Sequence, residues 1–337
     1  MRGGWRHFAG LARGAVLAVT VAAAAQGEER PRDYQQILPR GRIAAIEAPH
    51  FVPASKARVP GDAWVLGVVV NGEARAYSLN LLNRHEVVND RAGGTSFAVV
   101  WCPLANAGVV YGRDYGGREL RFEASGGLVN SALVMRDRET GSYWPIITGA
   151  AATGKLKGTP LEALPVGVKT TWKDWVRQHP DTAVLSVGGV EYIQNNPYDQ
   201  YFASDSGFRE ASAKDKRLPT KEPVWAFELE GRRFAVPFRA FEGGAVFHVG
   251  ERWIFLYRPK GAPIYASTRA LVSEGRIRRI DDGWVHEPSG GRFDSARGSF
   301  GGAGAGNPRA FAGLDTFWYV WSLTHPQTEI LPASTSR

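Results

Sequence analysis

The stretch Thr171-Trp172-Lys-Asp-Trp175-Val-Arg-Gln-His179-Pro180-Asp-Thr182-Ala-Val-Leu185 returns near the end of the chain. There it reads Phe317-Trp318-Tyr-Val-Trp321-Ser-Leu-Thr-His325-Pro326-Gln-Thr328-Glu-Ile-Leu331. The two are in step, since 318 − 172 and 331 − 185 both give 146. Two Trp, a His-Pro, a Thr and a Leu coincide, so the spacing predicts a tandem duplication of one structural unit. Each copy reads as a helix followed by an extended segment. Thr171 supplies a cap, and His-Pro stops the helix because the residue before proline is driven out of the helical region. Trp172 and Trp175, three apart, fall on one helix face.

The match extends toward the N-terminus. Gly67 to Leu79 corresponds to Ala226 to Phe238, Phe97 to Pro103 to Trp253 to Pro259, and Glu139 to Trp144 to Pro288 to Phe293. The offsets (226 − 67, 253 − 97, 288 − 139) fall from 159 through 156 and 149 to the final 146, as shorter loops in the second copy require. A period of this length exceeds the roughly 20 to 50 residues of solenoid units. With 40 Gly and 20 Pro among many Val, Tyr, Phe and Trp, strands and tight turns outweigh helices. The expected fold is α+β, mainly β, in two related half-domains from an internal repeat, with any site at their seam. The expected divisions are a signal peptide at 1–26, an extended lead-in at 27–60, a first half at 61–215 and a second half at 216–337.

Arg2, Arg6 and Arg13 precede an apolar run from Gly14 to Ala25 that ends in small residues. This is the pattern of a secretory leader, and it is shorter than the ~20 residues that span a bilayer. The expected location is therefore periplasmic or secreted, with no stable membrane span once the leader is removed. The formal net charge of +8 becomes milder without those three Arg. The basic clusters at Lys214–Arg217 and Arg276–Arg279 read as solvated loops, so no nucleic-acid partner is expected. The glycine-rich stretch from Gly298 to Gly306 lacks the Gly-Lys-Ser/Thr of a phosphate loop.

The chain has one cysteine, Cys102. Structural cysteines of exported proteins come in pairs, so this one is either an inert buried residue or a thiol kept for chemistry. It closes an apolar strand before Pro103, and the alignment above sets Arg258 in its place in the second copy. A nearby guanidinium or His85 would lower its pKa. His85-Glu86 with Asn89-Asp90 forms a polar cluster without a second-copy match, and His suits proton transfer near neutral pH. Asn130-Ser131 and Asp137 form a third polar group. Asn130 could orient an imidazole or donate to an oxyanion, which makes Cys102, His85 and Asn130 a candidate catalytic trio. Glu86, Asn89, Asp90, Ser131, Asp137 and Arg258 are the candidate substrate contacts. No metal-ligand spacing occurs, and no cofactor is expected.

Several ordered motifs resemble the bacterial and archaeal family called domain of unknown function 3179. They are Asn71-Gly72-Glu-Ala-Arg-Ala-Tyr77, His85-Glu86-Val-Val-Asn89-Asp90, Trp101-Cys102-Pro103-Leu104, the run from Asn130 to Trp144, and Lys216-Arg217-Leu-Pro219-Thr-Lys-Glu222-Pro223. The resemblance covers about Gly41 to Leu331. It implies a segment Cys-Pro-Leu-Cys-Gly-Thr, in some members selenium-bearing and hence redox or nucleophilic. This chain has Ala105 where the second cysteine stands, and Arg84 where the family has Trp. A redox cycle between two cysteines of one chain is thereby excluded. Three expectations remain: thiol-dependent redox or covalent chemistry on a small molecule or external thiol through Cys102; a non-catalytic periplasmic binding or scaffold protein in which Cys102 is incidental; and metal capture by Cys102 and His85.

Overall fold

The computed structural model describes residues 29–302 and 307–332. The signal peptide expected at 1–26 lies outside the described residues. Strand dominates, and the α-helices are short: α1 (Leu79–Leu82), α2 (Trp172–Gln178), α3 (Asp199–Ala203) and α4 (Trp318–Thr324). None is long and apolar enough to cross a membrane. Among the described residues, five sheets of three or more strands stand in a propeller-like arrangement.

The first of these sheets grows from a hairpin. Trp64–Val70 and Glu73–Ser78 are joined by Asn71-Gly72, whose φ angles of 47° and 85° suit a two-residue turn that matches strand twist. Gly167–Thr171 lies antiparallel on one side. Ala183–Ser186 lies parallel on the other, and His50–Pro53 extends that edge. A second sheet repeats the plan: Pro223–Leu229 and Arg232–Pro237 form the hairpin, Leu314–Phe317 lies antiparallel and Glu329–Ile330 parallel. The registers coincide. Thr171 faces Trp64 as Phe317 faces Pro223, and Ala183 faces Arg75 as Glu329 faces Phe234. In both sheets the third and fourth strands are joined by the Trp-bearing helix, α2 or α4.

A three-stranded sheet, Val87–Ala92, Thr95–Cys102 and Ala107–Gly112, has its parallel in Ala245–Val249, Arg252–Tyr257 and Arg269–Ser273, which add Arg309–Ala310 at one edge. Here the structure corrects the sequence alignment. The two-residue hairpin turns sit between Ala92 and Thr95 and between Val249 and Arg252, so 249 − 92 and 252 − 95 both give 157. The faces agree with this offset. Phe97, Val99 and Trp101 pack on the first hairpin sheet, as Ile254 and Leu256 pack on the second. With the turns aligned, Arg258 matches Trp101, and Pro259 matches Cys102.

Two stretches within the expected lead-in of 27–60 pair with sheets. Gln35–Gln36 pairs with the strand Phe122–Val129, and His50–Pro53 borders a sheet. Asn89 to Ala92 belongs to a strand, and the turn is confined to Gly93-Gly94. The largest apolar cluster draws on distant parts of the chain: Val100, Cys102 and Trp144 share it with Val224, Phe317, Trp318 and Trp321.

Candidate functional site

Cys102 ends the buried strand Thr95–Cys102. Pro103 then starts a single 3-10 turn that closes at Asn106 with φ 53°. The sulfur sits in this bend against the strand Ala132–Asp137, and the Leu133 N–H donates to it at 3.4 Å. Backbone N–H groups of Leu133, Ala105 and Leu104 favour its thiolate. Burial first, and then the neighbouring Glu86 carboxyl, outweigh them and push the thiol up to about 12. At neutral pH Cys102 is an uncharged thiol.

Polar groups rim this buried thiol. Glu86 adopts φ 57°, an uncommon conformation for a residue with a side chain. Its backbone carbonyl accepts from Trp101 N–H at 2.9 Å. Burial raises its carboxyl to about 7, and among the described residues that carboxyl has no hydrogen-bond or ionic partner. Tyr201 donates to Leu104 O at 2.6 Å, and its oxygen lies 2.9 Å from that of Tyr319. Ser131 reaches Tyr319, while Asn130 donates to Thr324 Oγ1 at 3.2 Å. Burial also raises the Tyr198 phenol, with Glu86 and Cys102 adding to it. Cys102 thus neighbours Glu86, Tyr198 and Tyr319, and the hairpin turn Asn130-Ser131 bears on the same group.

The remaining sequence candidates lie elsewhere. His85 points away, its Nδ1 2.8 Å from Ala44 O, so Cys102, His85 and Asn130 do not form one hydrogen-bonded trio. Asn89 is buried and pairs with Phe122 N and O, each at 2.8 Å. Asp90 accepts from the Tyr77 hydroxyl at 2.5 Å. Asp137 accepts from Thr140 N at 2.6 Å and from Trp144 Nε1 at 2.9 Å. Arg258 is buried, stacks 3.8 Å above Phe238 and donates to Ala266 O and Pro263 O. These four satisfy buried backbone and ring donors or acceptors, which is structural work.

Two further charged residues, Lys169 and Asp315, went unread in the sequence. They are separated by the same 146 residues as the two Trp-bearing helices (315 − 169). Lys169 Nζ donates to Asn106 O at 2.7 Å and to Asn106 Oδ1 at 3.1 Å. Burial lowers its ammonium to about 8, against the opposing pull of Asp315. Asp315 accepts from Thr268 N at 3.1 Å and from Thr268 Oγ1 at 2.6 Å. A cleft of about 420 Å³ opens beside Asp315. Val109, Ile147 and Val168 wall it together with Trp225, Phe227 and Phe311, which lie far along the chain. Small residues leave the space: Gly167 and Gly313 both line it. Lys169 and Asp315 could have been found by asking which strand residues before the repeated helix are charged. The cleft itself depends on contacts between distant segments.

Among the described residues, no group of three or more His, Cys, Asp or Glu is arranged to hold a metal. A family model described as a protein of unknown function (DUF3179) matches residues 40–328. No curated protein and no solved structure matches the chain.

Proposed function

We propose, for a chain that belongs to the DUF3179 family, that it is an exported, non-catalytic binding protein that takes a small organic molecule at the seam between two duplicated halves. The observation that carries this reading is the cleft of about 420 Å³, whose walls combine apolar side chains such as Val109, Ile147, Trp225 and Phe227 with polar groups such as Thr268, Arg269 and Asp315. Its size falls in the range of ordinary ligand sites, roughly 300 to 1,000 Å³. The coinciding registers of the two hairpin sheets support descent from one repeated unit. The apolar run before Gln26 supports export. Cys102, held as a neutral thiol in the shared core, packs and does not react.

A second reading, thiol chemistry at Cys102, draws on one observation: an unpartnered Glu86 carboxyl near neutrality beside the sulfur could take its proton. Metal capture by Cys102 and His85 draws no support from a His85 ring nitrogen already engaged by Ala44. A thermal-shift screen of small organic molecules, run on the wild type and on Cys102→Ala, separates the first two. The binding reading expects ligands that raise both midpoints equally. It falls if nothing binds while Cys102 reacts quickly with iodoacetamide.

A further inference from the structure

We infer that the seam cleft takes a monoanionic organic acid, its carboxylate held by Arg269 and Trp321 and its apolar body lying along the walls. This rests on the seam-binding reading above and adds the ligand's class. Arg269 starts the strand Arg269–Ser273 and lines the cleft. Among the described residues its guanidinium meets no carboxylate and no hydrogen-bond acceptor. Burial disfavours its charge, yet an arginine stays charged in proteins. Partly buried charges are ordinarily paired, so a counter-charge is missing on the cleft side.

A second wall residue points the same way. Trp321 is buried, and its indole N–H has no acceptor. An orphaned buried donor costs free energy that a ligand oxygen recovers. Two carboxylates also line the cleft, and both are engaged: Glu228 lies 3.1 Å from Arg233, and Asp315 is held by Thr268. Neither neutralises Arg269.

The repeat isolates Arg269 further. Arg269 faces Tyr257 across its sheet as Val109 faces Val100, and 257 − 100 is the hairpin offset of 157. The first half therefore presents an apolar Val109 to the same cleft where the second presents a cation. Room for the guanidinium comes from Gly298, the first residue of the glycine-rich stretch. Its φ is +70°, and a Cβ there would lie 2.7 Å from Arg269 Nε.

Calorimetric titration of the whole protein with octanoate, 1-octanol and acetate tests this. Octanoate is expected to bind at least about tenfold more tightly than octanol, and acetate not to compete at equal concentration. Arg269→Met should lower octanoate affinity by about 10- to 100-fold, the usual worth of a charged hydrogen bond, and leave octanol unchanged. Trp321→Phe should lower it severalfold. Equal or tighter binding of octanol to the wild type overturns the inference while the binding reading survives, and this comparison needs no variant. Octanoate affinity unchanged in Arg269→Met, or full competition by acetate, overturns it as well. No binding of any of the three at millimolar concentration removes both.

Discussion

Cys102 keeps its proton because three backbone donors cannot offset burial beside another acid. Iodoacetamide at pH 8 should therefore label it at least about a hundredfold more slowly than an unstructured thiol, and unfolding in urea should abolish the difference. A rate inflection near the ordinary thiol value of about 8.5 would contradict this. Glu86 makes an opposite kind of demand. Its folded carboxyl sits near 7, above the unfolded value of about 4.3. Between those values the native state holds a proton that the unfolded state has released, so stability falls as pH rises through that window. Glu86→Gln removes the loss. The variant should match the wild type at pH 4 and exceed it at pH 8 by about 2 kcal/mol, allowing for partial solvent contact, as read from urea midpoints. A constant difference across pH would mean that Glu86 is not the titrating group.

The two Trp helices share a sequence pattern but differ in their surroundings. In α2 the Thr171 hydroxyl accepts from the Asp174 N–H at 3.3 Å, while Phe317 offers α4 no such cap. Thr171→Ala should cost about 1 kcal/mol. Trp318, wholly enclosed in the cluster shared by both halves, should cost about 3 to 5 kcal/mol as Trp318→Ala. Trp172, at 8 % exposure in a satellite cluster, should cost less. Equal losses at Trp172 and Trp318 would show that the two helices carry the same burden. Both helices, the Asn71-Gly72 hairpin and the mainly β character were legible in sequence because each depends on local turn chemistry and periodicity. The pairing of Phe97–Cys102 with its counterpart slipped by one residue for a physical reason. That strand is apolar on both faces, so no alternation fixed which face was which. Anchoring on the Gly93-Gly94 turn would have corrected it. The polar rim of Cys102 was read in part: Glu86 and Ser131 reach it, and His85 does not. Tyr198, Tyr201 and Tyr319 went unread because they come from segments far apart in the chain.

At the scale of the molecule, segments far apart in the chain share one core. Cys102, Trp144 and α4 belong to one cluster, so scanning calorimetry of the whole chain should give one transition, with equal calorimetric and van't Hoff enthalpies. Two resolved transitions would show that the seam is an interface between independent domains. The sheet built on Pro223–Leu229 and Arg232–Pro237 receives both of its outer strands, Leu314–Phe317 and Glu329–Ile330, from the far end of the polypeptide. During synthesis that ribbon emerges long before anything can cover its flanks. In the interval its unpaired amides and carbonyls invite strand addition from any neighbouring chain. A nascent molecule arrested before residue 314 would carry two open edges, so a chaperone that holds the chain until its tail arrives would guard against aggregation.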